Sequence, residues 1–84
     1  MSNHEHLLEA VTFAQAGDWD AAHKIAQDYS DSTANWIHAV LHKIEGDTWN
    51  SKYWYARTNG RQYEDYAADV PAELAAIRQL LQSQ

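Results

Sequence analysis

The sequence contains no cysteine, so disulfides, thiolate zinc sites and cysteine nucleophiles are excluded. No apolar run approaches the ~18 residues of a membrane span. The opening MSNHEHLLEA lacks a basic segment followed by an apolar stretch, so neither a leader nor a membrane partner is expected. The expectation is a soluble, cytoplasmic protein. Basic residues are scarce: 6 Lys and Arg against 12 Asp and Glu give a net charge of −6 and a pI near 5.1. Nucleic-acid affinity comes mainly from Lys and Arg on phosphates, so nucleic acid is not an expected partner. Aliphatics are scarce too. Leu, Ile, Val and Phe fill only 14 of 84 positions, and a share below ~20% with high net charge normally marks disorder.

What is present offsets that deficit. Four Trp and five Tyr each bury roughly 150–250 Å² when packed, enough for a small core. A chain of 84 residues holds a single domain, residues 1–84, with a total stability of roughly 4–13 kcal/mol.

One proline (Pro71) and three glycines (Gly17, Gly46, Gly60) punctuate the chain. Each glycine follows a helical pattern, where a left-handed C-cap would sit. The pattern predicts an all-α chain. Helix one covers roughly 3–16, with Leu7, Leu8, Val11 and Ala14 on one face. Asp18 opens helix two, which buries Trp19, Ala22, Ile25, Ala26 and Tyr29. Ser30–Thr33 offers caps for helix three, whose stripe is Ile37, Val40, Leu41 and Ile44. Asp47 caps helix four over roughly 48–58, and residues 59–69 form a polar connection with room for one helical turn at 63–67. Asp69 and Pro71 open the last helix, with Leu74, Ile77 and Leu81 at helical spacing.

AGDWDAA at 16–22 answers EGDTWNS at 45–51. Two helix–turn–helix units and a terminal helix make a short solenoid. SKYWYARTNG at 51–60 resembles the second helix of a tetratricopeptide-type repeat. That resemblance implies about two tetratricopeptide-like helical hairpins with a C-terminal capping helix, and a protein- or peptide-binding scaffold. Read together, GDWDAAHKIAQD, WIHAVLHKIEGDTWNSKYWYAR and PAELAAIRQLL resemble a family of small bacterial and fungal helical proteins with no assigned activity. The likeness spans most of residues 12–82. It departs at Arg57-Thr58-Asn59-Gly60, where the family has Arg-Ala-Gly.

Two constellations carry chemistry. His38, His42 and Glu45 lie at i, i+4 and i+7 and share a helix face. His23 lies eight positions before Asp31 and His38 seven after it, so an antiparallel hairpin brings them to nearly the same height. Imidazole and carboxylate together suit a zinc-like divalent metal. The alternative is a buried polar network that fixes helix packing.

The second constellation is helix four. At ~100° per residue, Ser51, Tyr55 and Thr58 form one face, while Trp49, Tyr53 and Ala56 form another. The stretch 48–62 carries Lys52, Arg57 and Arg61 and no acid. Aromatics with arginine suit a partner hot spot or an anionic ligand; as core residues, they would leave the basic groups to pair with nearby acids. The sequence therefore predicts a non-catalytic interaction module. Trp49, Tyr53, Trp54 and Arg57 are its contact residues, and its partner is a protein, a peptide or a second copy. No cofactor is expected. The alternative is a metal- or histidine-dependent small enzyme, or a binder of small anions, built on His23, His38, His42 and Glu45. A further option is a small-molecule pocket between helices one, three and four anchored by Arg57.

Overall fold

Aspartates begin four of the five helices: α1 (Asn3–Gln15), α2 (Trp19–Ala26), α3 (Ser32–Ile44), α4 (Thr48–Tyr55) and α5 (Val70–Gln82). The structure is a computed structural model that describes residues 3–84, and no strand occurs among them. The carboxylates of Asp18, Asp31, Asp47 and Asp69 accept from the backbone N–H groups of Ala21, Ala34, Asn50 and Ala72 at 3.1–3.4 Å. Each such cap stabilises its helix by about 1 kcal/mol. Pro71 occupies the first turn of α5, where its missing N–H forgoes no helical bond.

The internal repeat is visible in geometry. α1 and α2 are 13 and 8 residues long, α3 and α4 again 13 and 8, and α5 is 13. Gly17 and Gly46 end their helices at φ +84° and +83°, a conformation a Cβ would strain. Asp18 N–H then donates to Phe13 O, and Asp47 N–H to His42 O, both at 2.9 Å. The two Gly-Asp turns are therefore the same helix-ending motif used twice.

Three boundaries differ from the sequence expectation. α2 ends at Ala26, so Tyr29, expected on its buried face, lies beyond the helix and is half-buried. α4 ends at Tyr55 rather than 58, because Thr58 Oγ1 donates to Tyr55 O at 2.7 Å and accepts Arg61 N–H at 3.0 Å. Asn59 follows with φ +61°, and the chain turns back. Residues 63–68 form two successive turns rather than a helix.

α1 packs on α2, α3 on α4 and α2 on α3, while α5 lies across α1 and α3. The core between them holds Leu7, Val11, Ile37, Leu41, Ile77 and Leu81, with alanines at the close helix contacts. Trp36 and Tyr55 are the aromatics that join it fully; Trp19, Trp54, Tyr29, Tyr63 and Tyr66 pack at its edge. Ile44 departs from its expected stripe and is 42% exposed, because the last turn of α3 borders an open groove of about 720 Å³. Pro71, Val70 and Ala14 form other walls of that groove.

One buried polar network staples the helices. Glu73 is fully buried. Its Oε1 accepts from Lys43 Nζ at 2.8 Å. Its Oε2 accepts from Trp36 Nε1 at 2.8 Å and from the Tyr55 hydroxyl at 2.5 Å. Lys43 Nζ also donates to Tyr63 O at 2.9 Å and Ala67 O at 3.3 Å, so all three of its protons are used. Burial, then the bond to Glu73, pushes the Tyr55 hydroxyl well above its ordinary pKa, which keeps it a donor. The network ties α3, α4, α5 and the irregular connection into one unit.

Candidate functional site

The hairpin of α2 and α3 is joined by the short stretch 27–31, and it sets His23 of α2 beside His38 of α3. Their Nε2 atoms are 3.0 Å apart. His42, one turn further along α3, completes the group. One ring nitrogen from each of the three histidines lies within 4.8 Å of the others. Glu45 is placed differently. Its Oε1 meets His42 Nδ1 at 2.5 Å, so it holds the ring from behind and leaves Nε2 as the free nitrogen. Asp47 falls in a second group with His42 and Glu45, but it is already engaged as the α4 cap and as acceptor of Asn50 Nδ2 at 2.7 Å. That bond, before any other influence, lowers the Asp47 pKa.

Two indoles enclose the cluster. Trp19 stacks on His23, with centroids 4.7 Å apart and planes 9° apart, and donates Nε1–H to Leu41 O at 2.6 Å. Trp54 stacks on His38 at 4.0 Å and 15°. His38 is only 5% exposed; His23 and His42 are half-buried. Burial, followed by repulsion from His23 and His42, lowers the His38 pKa to about 4. Burial also lowers that of His23, with His42 acting in the same direction and Glu45 and Asp20 opposing. His23 and His38 are thus neutral at neutral pH, the form in which imidazole donates a lone pair.

The aromatic contacts continue outward along α4. Trp54 meets Tyr53 edge-on at 5.2 Å, and Tyr53 stacks with Trp49 at 5.8 Å. The Arg57 guanidinium lies 3.8 Å over the Tyr53 ring and donates to Tyr53 O at 2.9 Å. Ser51, Tyr55 and Thr58 are buried, whereas Trp49, Lys52, Tyr53, Ala56 and Arg57 are exposed. Trp49 is 73% and Tyr53 40% exposed. Of the contact residues read from sequence, Trp49, Tyr53 and Arg57 therefore lie on one open strip, and Trp54 turns inward against His38.

The other basic side chains of the stretch 48–62 are occupied. Lys52 reaches Glu64 at 3.8 Å on the surface, and Arg61 lies 3.9 Å over the Trp36 ring. Arg57 lines neither the groove beside Ile44 nor the smaller pocket at Arg61; it stacks on Tyr53.

The Glu73 network escaped the sequence reading. Two signals pointed to it. Glu73 stands one turn before Ile77 on the apolar stripe of α5, and Lys43 stands two turns after Trp36 on α3. A charge inside an apolar stripe is the mark of a buried, paired group. Comparison of the chain with known proteins returns no matching family model, curated protein or solved structure.

Proposed function

We propose that the chain is a non-catalytic interaction module of tetratricopeptide-like construction, akin to the small bacterial and fungal helical family that its central block resembles. It works as a soluble cytoplasmic protein through the exposed strip of α4. The observation that carries this reading is the placement of exposed apolar surface. Ile44, Trp49 and Tyr53 are the large hydrophobic side chains left exposed among the described residues, and all three fall within one short stretch. Exposed Trp and Tyr flanked by Arg are the residues that dominate association energies.

The partner is a second copy of the chain. Glu45 and Asp47 stand at the amino end of α4, and Arg57 and Arg61 stand at or beyond its carboxyl end. An antiparallel, two-fold pairing of α4 with α4 sets each acidic end against the basic end of the other copy. The same pairing stacks the Trp49 and Tyr53 strips at its centre. A parallel pairing would oppose like charges.

Sedimentation equilibrium on wild type and Trp49→Ala tests the reading. Wild type is expected to dimerise reversibly. Trp49→Ala is expected to weaken the dimer by at least ~2 kcal/mol, roughly 30-fold, with monomer stability changed by no more than ~0.5 kcal/mol. A wild type that stays monomeric at ~1 mM, the weak limit of specific association, overturns it. So does a Trp49→Ala monomer that unfolds. The convergence of His23, His38 and His42 favours a second reading, cation binding beneath the same helix.

A further inference from the structure

Three imidazoles meet at one place, backed by a carboxylate and walled by two indoles. We infer that His23, His38 and His42 form a binding site for one borderline divalent cation of the zinc type, with Glu45 as the residue that positions His42. None of the three ligands lies on the α4 strip, so Trp49→Ala and His42→Gln test the two readings separately.

The donor set suits such an ion. Zinc, nickel, copper and cobalt ions take imidazole nitrogen readily. Metal–nitrogen bonds of ~2.0–2.1 Å at tetrahedral angles set ligand nitrogens about 3.3 Å apart. His23 and His38 are already 3.0 Å apart, and all three nitrogens fall within 4.8 Å. Bringing this triangle to ~3.3 Å on each side changes no nitrogen–nitrogen distance by more than about 1.5 Å.

The tautomer of one ligand is set in advance. A ligating histidine usually gives its second ring N–H to a carboxylate, which fixes the ring and strengthens its donor nitrogen. His42 Nδ1 against Glu45 Oε1 at 2.5 Å has that form. Trp19 and Trp54 hold the His23 and His38 rings by stacking, so less rotamer freedom is lost when the ion binds. Three protein ligands leave a fourth position for water or an outside donor.

A packing-only role predicts a different behaviour, and the difference is measurable. Untagged protein stripped with chelator is titrated with zinc by calorimetry, and with cobalt(II) by visible absorption, whose intensity distinguishes four-coordinate from hydrated metal. Wild type is expected to bind one ion per chain, with a tetrahedral cobalt spectrum and a higher melting temperature in zinc. His42→Gln and His23→Gln, at half-buried positions, are expected to lower affinity at least 100-fold. Glu45→Gln is expected to lower it ~10–100-fold, while the fold of each variant in chelator, read by circular dichroism, persists. The double variant His4→Gln/His6→Gln is expected to bind as wild type does. Failure of wild type to bind at ~100 µM zinc, well above the affinities of dedicated sites, overturns the inference. So does affinity that survives His42→Gln and His23→Gln, or that disappears in the His4/His6 variant.

Discussion

Glu73→Ala should lower stability by about 3–5 kcal/mol, the usual result of removing one partner of a buried ion pair. Lys43 would keep its charge in a site where its side chain is 5% exposed, and the Trp36 and Tyr55 donors would lose their common acceptor. For a chain of this size each kcal/mol moves Tm by ~4–8 °C, so thermal melts should show a drop of more than ~12 °C. The loss is comparable with the whole stability, roughly 4–13 kcal/mol, that per-residue scaling allows. Lys43→Met/Glu73→Leu should recover part of it, because no buried charge is then left alone. A Glu73→Ala change within ~0.5 kcal/mol, the range of ordinary surface substitutions, would show that the network is not what ties α5 and the connection to the helical pairs.

Acid should act through the histidines before it reaches most carboxylates. His38 has a pKa near 4 in the folded protein against 6.5 in the unfolded chain, and that of His23 is also lowered. The unfolded state therefore binds more protons, and stability falls as pH falls. The His38 contribution is complete above pH 6.5, declines through the interval to pH 4 and is lost below it. At ~1.4 kcal/mol per pH unit the full loss is about 3 kcal/mol, of which about 2 is gone by pH 5. Most carboxylates protonate only below about pH 4.5, so the upper part of the window belongs to the cluster. Urea titrations of chelator-treated protein from pH 7.5 to 5 should show this slope. His38→Gln should flatten it. A wild-type profile level across that interval would mean that His38 protonates without penalty.

Local chemistry made much of this legible in the sequence. Gly-Asp appears twice because a left-handed residue followed by a carboxylate both ends one helix and starts the next. The convergence of His23 and His38 follows from their near-equal spacing about Asp31. Their place on α2 and α3 made the meeting foreseeable, and the stacking of Trp19 and Trp54 on them did not follow from spacing. Glu45 shared a face with His42 but serves it from behind, because a three-residue step places its carboxylate at Nδ1 rather than beside Nε2. α4 ends three residues before the periodicity predicts, because Thr58 offers the backbone a competing side-chain bond that periodicity does not register. The apolar stripe of α5 marks Glu73 as a buried, paired charge, but its partners Lys43, Trp36 and Tyr55 follow from where α5 docks, a long-range fact absent from any local pattern. The shortage of aliphatic residues is met in two ways. Trp36 and Tyr55 substitute for them in the core, whereas Trp49 and Tyr53 remain outside it.

The four indole N–H groups report directly on that division between core and exposed aromatics. Trp36 and Trp19 bond Glu73 and Leu41 O, and Trp54 packs on His38, leaving Trp49 outermost. Nitrogen–proton correlation spectra between about 20 µM and 1 mM span the affinities of small interfaces. Concentration-dependent shifts are expected at the Trp49 indole and the amides of 49–57, with the Trp36 and Trp19 indoles unmoved. Shifts centred on α1 and α5, or none across the range, would contradict pairing through α4.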